Sequence, residues 1–292
     1  MSSQIRIHSA LPEQLAAAVD AVLGAAGIEH VAHGDETPVE AAEAAAGDAA
    51  AVALVGPFLS SAVAEAVEAT GPAGLALLAP VATWAGVTHD DEPGADGDED
   101  DPADHRGTVF RMVARDTEVA ARVAMHLRDS RQRAYVVAGS HPYGQQIDGQ
   151  LRLGRLDRAG EADTADVIVV CGLVGEPEIG RVAALPPLPV IAFDGVQGQD
   201  FGEGREVRIA LPFAPAGEDD PFDHIALGAA SAGRAAELLA AAIGEGGAKD
   251  RAAVLHALKA SGEWDEHGDP VYAAVWLWRV GDDGALLPDR AL

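Results

Sequence analysis

The sequence predicts an α/β protein of two similar lobes, each a parallel sheet flanked by helices, joined by several crossover strands. Short apolar runs alternate with stretches of helical periodicity along the first 80 residues, and a second alternation of the same kind runs from about 108 to 195. The connections are short, and a strand–helix–strand series in short connections means parallel strands with helices on both faces of the sheet. With 292 residues the chain is long enough for two domains of ordinary size.

The elements of the first lobe follow in order. IRIHSA (5–10) reads as a strand. A helix begins at Pro12, with Leu15, Ala18, Val19, Val22 and Leu23 on one stripe, and Gly24 and Gly27 close it. IEHVAH (28–33) is a second strand, and Thr37-Pro38-Val39-Glu40 then forms a capping box with proline at the first helical position. AAVALVG (50–56) has the pattern of a strand buried on both faces. Ser60 and Ser61 open the next helix, and LALLAP (75–80) is the fourth strand. Residues 89–106 hold nine carboxylates, two prolines and nothing apolar larger than alanine, so they read as a solvated loop. Asp96, Asp98 and Asp100 have the spacing that starts a calcium loop. However, Asp101 stands where glycine is needed and Gly107 where a bidentate glutamate belongs, so the solvated loop is the better reading.

The second series starts with the strand TVFRMVA (108–114), after which Asp116 is placed to cap a helix carrying Val119, Val123 and Leu127. Strands AYVVAG (134–139), DVIVVCG (166–172) and PVIAFDG (189–195) follow, with helices after Tyr143-Gly144 and from Glu176. REVRIALPF (205–213) is extended, and helices cover about 222–243 and 249–261. The tail alternates strongly and reads as a β-hairpin turned by DEHGD (265–269). These elements divide into an N-terminal lobe of 1–112 with 211–262 and a C-terminal lobe of 113–210 with 263–292.

Composition narrows the function. The chain is 48% hydrophobic but only 4% aromatic, so alanine, valine and leucine must supply most of the core. Its net charge is -27, with 47 acidic against 20 basic residues, a balance that repels nucleic-acid phosphates and anionic lipid. Nucleic acid and membrane insertion are therefore not expected. Only two basic residues are lysines, Lys249 and Lys259, and the acid excess also suits a salt-rich cytoplasm. The single cysteine, Cys171, lies in an apolar run and reads as a core residue. The first residues lack a basic segment followed by an apolar one, and no lipid-attachment cysteine is near the start. The chain as written is expected in the cytoplasm, and outside it only if an export signal was removed.

This order of elements, with six local strings, resembles the leucine/isoleucine/valine-binding family of type I periplasmic binding proteins over nearly the whole chain. The strings are VALVGPFLSSAVAEAV, LLAPVATW, FRMVARDTEVAARVAMHL, YVVAGSHPYGQQ, VIAFDGV and the tail EWDEHGDP…VWLWRVGDDG. The resemblance implies a cleft between facing strand ends that holds a small solute. Ser60, Ser61, Ala82 and Thr83 would line one wall, where serine, threonine and main-chain N–H groups hold the solute's carboxylate. A helix N-terminus at Ser61 favours an anion. Tyr143 and Asp194 would line the other wall, the aspartate pairing with an ammonium group. The family commonly has a glutamate where Asp194 stands.

Each of these residues also has an ordinary reading. Ser60 and Ser61 could cap a helix, Thr83 could satisfy a turn, and Tyr143-Gly144 and Asp194-Gly195 are common turn pairs. The chain departs from the family as well. HSALPE is a shorter turn without an aromatic residue, RLGRLDRAGEADTA leaves no room for another strand and helix, and CGLVGE lacks an aromatic at the strand end.

The resulting expectation is a non-enzymatic binder of an amino acid or amide, closing like a clamshell and needing no cofactor. Its partner would be a transporter permease or, in a cytoplasmic sensor of the same fold, a regulatory protein. A degenerate relative that no longer binds is the further alternative. A hydrolase is the rival of a different class, but neither FLSSA nor AGSHP offers the strained Gly-x-Ser-x-Gly turn. Ser140 and His141 are merely adjacent, Cys171 has no identifiable histidine partner, and the ten histidines, His89 and His105 of the acidic loop among them, show no tight metal spacing. No strand is followed by Gly-x-Gly-x-x-Gly, so a dinucleotide site is not expected either.

Overall fold

A computed structural model describes residues 5–34, 36–88, 106–196, 198–215, 217, 220–244 and 247–292. The acidic stretch 89–105, and with it the calcium reading, lies outside them. The chain forms two compact units, one of residues 1–114 and 223–273, the other of 115–222 and 274–292.

The first unit alternates β1 (Arg6–Ser9), α1 (Glu13–Ala25), β2 (Glu29–Ala32), α2 (Pro38–Gly47), β3 (Ala51–Val55), α3 (Ser60–Thr70), β4 (Ala76–Ala79) and β5 (Val109–Arg111). The strands pair in the order β2-β1-β3-β4-β5, every pair parallel. Period-2 alternation sends neighbouring side chains to opposite faces, and both faces are apolar. Leu54 and Leu77 pack with Val63, Ala66 and the alanines Ala41, Ala42 and Ala45 on the face covered by α2 and α3. Val55 and Leu78 face the other way, into a cluster with Leu15, Val19, Ala235 and Leu239. The last two come from α7 (His224–Gly244), which lies along α1, and α8 (Arg251–Ala260) adds Val254 and Leu258 to the same cluster. α7 is long and apolar enough to cross a membrane by length and composition, but it carries Arg234 and Glu237, and its apolar side forms part of this core. The capping box is made in both directions: Thr37 N–H donates to Glu40 Oε2 at 2.9 Å and Glu40 N–H to Thr37 Oγ1 at 3.3 Å.

At the β1–β2 edge, His8 Nδ1 lies 2.8 Å from His33 Nε2, and His8 Nε2 lies 3.2 Å from Asp48, a carboxylate that Arg6 also holds. Burial and the neighbouring His33 and Arg6 push the His8 pKa below its ordinary value, outweighing the pull of Asp48.

The second unit runs α4 (Asp116–Asp129), β6 (Ala134–Ala138), α5 (Pro142–Leu153), β7 (Val167–Cys171), α6 (Pro177–Gly180), β8 (Val190–Phe193), β9 (Val207–Leu211), β10 (Trp276–Val280) and β11 (Leu286–Ala291). Its sheet order is β11-β10-β9-β8-β7-β6: the four strands from β6 to β9 are parallel, and β10 and β11 are antiparallel additions. Cys171 is fully buried at the end of β7 and its thiol pKa is pushed up by burial, as suits a core residue.

Three local expectations need correction. The hairpin is not turned at 265–269. It is the β10–β11 pair, turned at Gly281-Asp282-Asp283-Gly284, where Gly284 takes φ +80°. Residues 264–270 instead form a separate turn in the first unit, closed by a Trp264–Pro270 bridge. The N-cap of α4 is Arg115 rather than Asp116, which is the first helical residue and buried. The helix from Glu176 is a single short turn, with a 3₁₀ turn at Arg181–Ala184 after it.

Candidate functional site

In the first unit, β3 runs into Gly56, whose φ of +97° and close pass against Leu11 and the Ala10 carbonyl leave no room for a side chain. α3 then starts at Ser60. Its N-cap is Leu59, which offers no side-chain bond, so neither serine caps the helix. Ser60 Oγ instead accepts the main-chain N–H of Trp84 at 3.3 Å, tying the helix start to the segment that leaves β4. Ser60 and the 82–84 segment are thus brought together. Ala82 is buried, Thr83 half-buried and Ser61 exposed, and among the described residues neither the Ser61 nor the Thr83 hydroxyl has a hydrogen-bond partner. The first N–H groups of α3 are left without intrahelical acceptors, so an anion is favoured there.

The backbone on either side of Thr83 is fixed from below. Arg111, at the end of β5 and with no exposed surface, donates to the Ala82 carbonyl at 2.5 Å and to the Trp84 carbonyl at 2.9 Å. Its Nε donates to Asp269 at 2.9 Å, and Thr88 donates to the same carboxylate oxygen at 2.8 Å. Sequence reasoning missed both residues. The only sequence signals were an arginine in an apolar strand and an aspartate in a turn.

In the second unit, Tyr143 at the start of α5 and Asp194 at the end of β8 meet directly: the Tyr143 hydroxyl donates to the Asp194 carboxylate. Two glycines permit the approach. A Cβ on Gly195 would lie 2.5 Å from the Gly172 carbonyl and 2.8 Å from the Tyr143 ring, and one on Gly144 would lie 2.6 Å from the Cys171 carbonyl. Burial raises the Asp194 pKa against the opposing hydrogen bonds from Tyr143 and the main-chain N–H groups of Gly195 and Asp194 itself. The Tyr143 pKa is pushed well up by burial and by the negative charges of Asp194 and Asp116. Asp116 is therefore a second carboxylate acting on Tyr143, one that the sequence reading used only as a cap.

Beside the pair, Glu176 accepts N–H bonds from Leu173 at 2.6 Å and His141 at 2.8 Å and a hydroxyl bond from Ser140 at 3.3 Å. Burial disfavours its charge, but these donors outweigh it and hold its pKa below the ordinary value. Glu176 thereby locks the loops after β6 and β7. A separate cavity of about 810 Å³ in this unit, lined by the 198–206 loop and the β10–β11 hairpin, contains none of the six candidate residues.

A hydrolytic arrangement exists in outline away from these residues. Ser9 Oγ lies 2.9 Å from His30 Nε2, and His30 Nδ1 lies 3.2 Å from Asp20. Ser9 is fully buried, so its oxygen has no access to a substrate carbonyl. Among the described residues no group of three or more histidine, cysteine or acidic side chains is arranged to hold a metal ion.

The fold is that of the type I periplasmic binding proteins, found in ABC transporter substrate-binding proteins for leucine and other branched-chain amino acids. One such protein from Desulfitobacterium hafniense, solved with Leu, matches with TM-score 0.71 at 18% identity over 99% of each chain. The leucine-binding protein LivK of Thermotoga maritima matches with TM-score 0.68 at 15% identity, over 99% of this chain and 98% of that one. The branched-chain amino acid transporter substrate-binding protein LivJ of Streptococcus pneumoniae, solved with isoleucine, matches with TM-score 0.67 at 17% identity over 99% of each. No family model matches the chain, and no curated protein does.

Proposed function

We propose that the chain binds a small polar solute, an amino acid or a short amide, through the strand-end residues described above. In this reading Ser60, Ser61, Thr83 and the free N–H groups at the start of α3 take the solute's carboxylate, and Ala82 shapes the floor. Asp194 takes its ammonium group, with Tyr143 holding the aspartate and covering the solute with its ring. The observation that supports the reading best is the complementary chemistry of the two sets. Among the described residues, hydroxyls without partners stand at the strand ends of the first unit and a half-buried carboxylate at those of the second. Three of the proteins that share the fold over the full length are named with leucine or isoleucine, which agrees with it, and one from R. palustris is named with 4-hydroxybenzoate, which shares the carboxylate but has no ammonium group. The role that goes with this reading is delivery to an ABC transporter outside the cytoplasm.

A second reading rests on the Tyr143–Asp194 bond. A carboxylate already paired with a phenol is partly satisfied without a ligand, as a relative that has lost binding would be. A thermal-shift screen followed by calorimetry, with L-leucine, L-isoleucine, L-valine and short amides, separates the two. A ligand present at about 100 times its dissociation constant adds roughly 2.7 kcal/mol and moves the melt by several degrees. Absence of any shift across the panel would favour the degenerate reading.

A further inference from the structure

We propose that Arg111 and Asp269 are positioning residues for the wall at Ala82–Thr83, and that they couple this wall to two of the places where the chain passes between units. The ligand part of this inference rests on the reading of that wall as a binding surface. A buried ion pair contributes little to stability, because desolvation offsets the attraction and an apolar pair of the same volume does as well. What an arginine adds is a planar fork with donors in fixed directions. Here the fork takes the carbonyls on both sides of Thr83, at Ala82 and Trp84, and one of its nitrogens also reaches the Thr88 hydroxyl at 2.9 Å. Thr83 therefore sits between two backbone points held by one rigid group.

The same arginine is fixed through its own backbone. Its N–H donates to the Gly268 carbonyl at 2.8 Å, and its carbonyl accepts the Trp264 indole N–H at 2.6 Å. Asp269 in turn accepts from Arg111 and Thr88 and donates its N–H to Asp265 at 3.0 Å. Arg111 lies just before the passage at 114/115, and Asp269 just before the one at 273/274. A displacement of the wall is carried through side-chain and main-chain bonds into both strands of chain that lead to the second unit.

The test is hydrogen exchange on the full-length wild type, Arg111→Lys and Asp269→Asn without ligand, followed by titration with L-leucine and L-isoleucine. Lysine keeps the charge but cannot hold two carbonyls and a carboxylate in one plane, and asparagine keeps an acceptor for Nε, so one variant backs up the other if it folds poorly. The amides of Trp84 and Val87 should exchange about tenfold faster in both variants, with α1, α7 and the second unit unchanged. For a probe that the wild type binds, Arg111→Lys should raise Kd by about tenfold under conditions where both proteins are fully folded. Unchanged exchange at Trp84 and Val87, or equal acceleration throughout the first unit, overturns the clamp. Faster exchange with unchanged Kd overturns its link to binding. If the wild type binds none of L-leucine, L-isoleucine, L-valine and short amides, the proposed function fails, while the exchange comparison still decides the clamp.

Discussion

At the strand ends of the first unit Ser61 and Thr83 are open and the backbone at Ala82 and Trp84 is tied down; in the second unit the candidate side chains are tied to each other. Among the described residues the Ser61 and Thr83 hydroxyls have no hydrogen-bond partner, Thr83 lying on a segment fixed by Arg111, whereas Tyr143 has committed its hydroxyl to Asp194. A wall of the first kind meets a ligand without giving up an existing bond. In the second kind the carboxylate must share itself between phenol and ligand, so part of its interaction energy is already spent. Under the proposed function, affinity would be set in the first unit and selectivity for a cationic group in the second.

The strongest way to break this comparison is to remove the anchor of the first wall. Asp269→Ala leaves the Arg111 cation buried without its carboxylate and should destabilise the first unit by about 3–5 kcal/mol, read as a lower urea midpoint. Gly195→Ala strikes the second wall instead. A Cβ 2.5 Å from a backbone carbonyl forces β7 and β8 ends apart and should cost about 1–3 kcal/mol, with the exchange increase confined to that unit. Asp194→Asn retains an acceptor for Tyr143 and should leave the melt nearly unchanged. Its effect should fall on binding, a loss of about tenfold or more for a zwitterion measured by calorimetry.

Acid should separate the units by sign. The folded-state pKa of His8 is lowered, so the unfolded chain binds the extra proton first. The stability this contributes is present above the unfolded value near 6.5 and is lost as pH falls toward the folded one. The Asp194 pKa is raised, so its contribution is present below the unfolded value near 3.8 and is lost as pH rises through the folded one. Hydrogen exchange at pH 7 and pH 5 should show the β1–β2 edge loosening on acidification and the β8 end holding or tightening. Ser61→Ala is the smallest change. The residue is exposed and unpartnered, so stability should stay within about 0.5 kcal/mol while carboxylate affinity falls several-fold.

How much of this was legible in the sequence depended on range. Elements set by neighbours a few residues apart were readable: the Thr37–Glu40 capping box, the doubly buried β3 and the helix opening at Ser60 are local patterns of polarity. The tail shows where local signals fail. Both DEHGD and GDDG carry turn residues, and what selects the second is the pairing of β10 along β9, with Trp278 opposite Ile209 and its indole N–H donating to the Phe213 carbonyl 65 residues earlier. The candidate residues were placed at strand ends by the order of elements, but their partners could not be. Arg111 and Asp269 are 158 residues apart, Tyr143 and Asp194 are 51 apart, and no periodicity within either segment encodes such a meeting. The role of Asp116 was misread for a related reason: a helix start was recognisable, but the burial of its first residue was not.

The inaccessible thiol of Cys171 makes the protein convenient for spectroscopy. A maleimide reacts with thiolate at a surface, and this sulfur offers neither exposure nor ionisation. Cysteines introduced at Glu43 and Leu153, both exposed and one in each unit, would take up a donor–acceptor dye pair without any change to the native background. Energy transfer between the dyes, with and without L-leucine, would then report whether the units move on a solute.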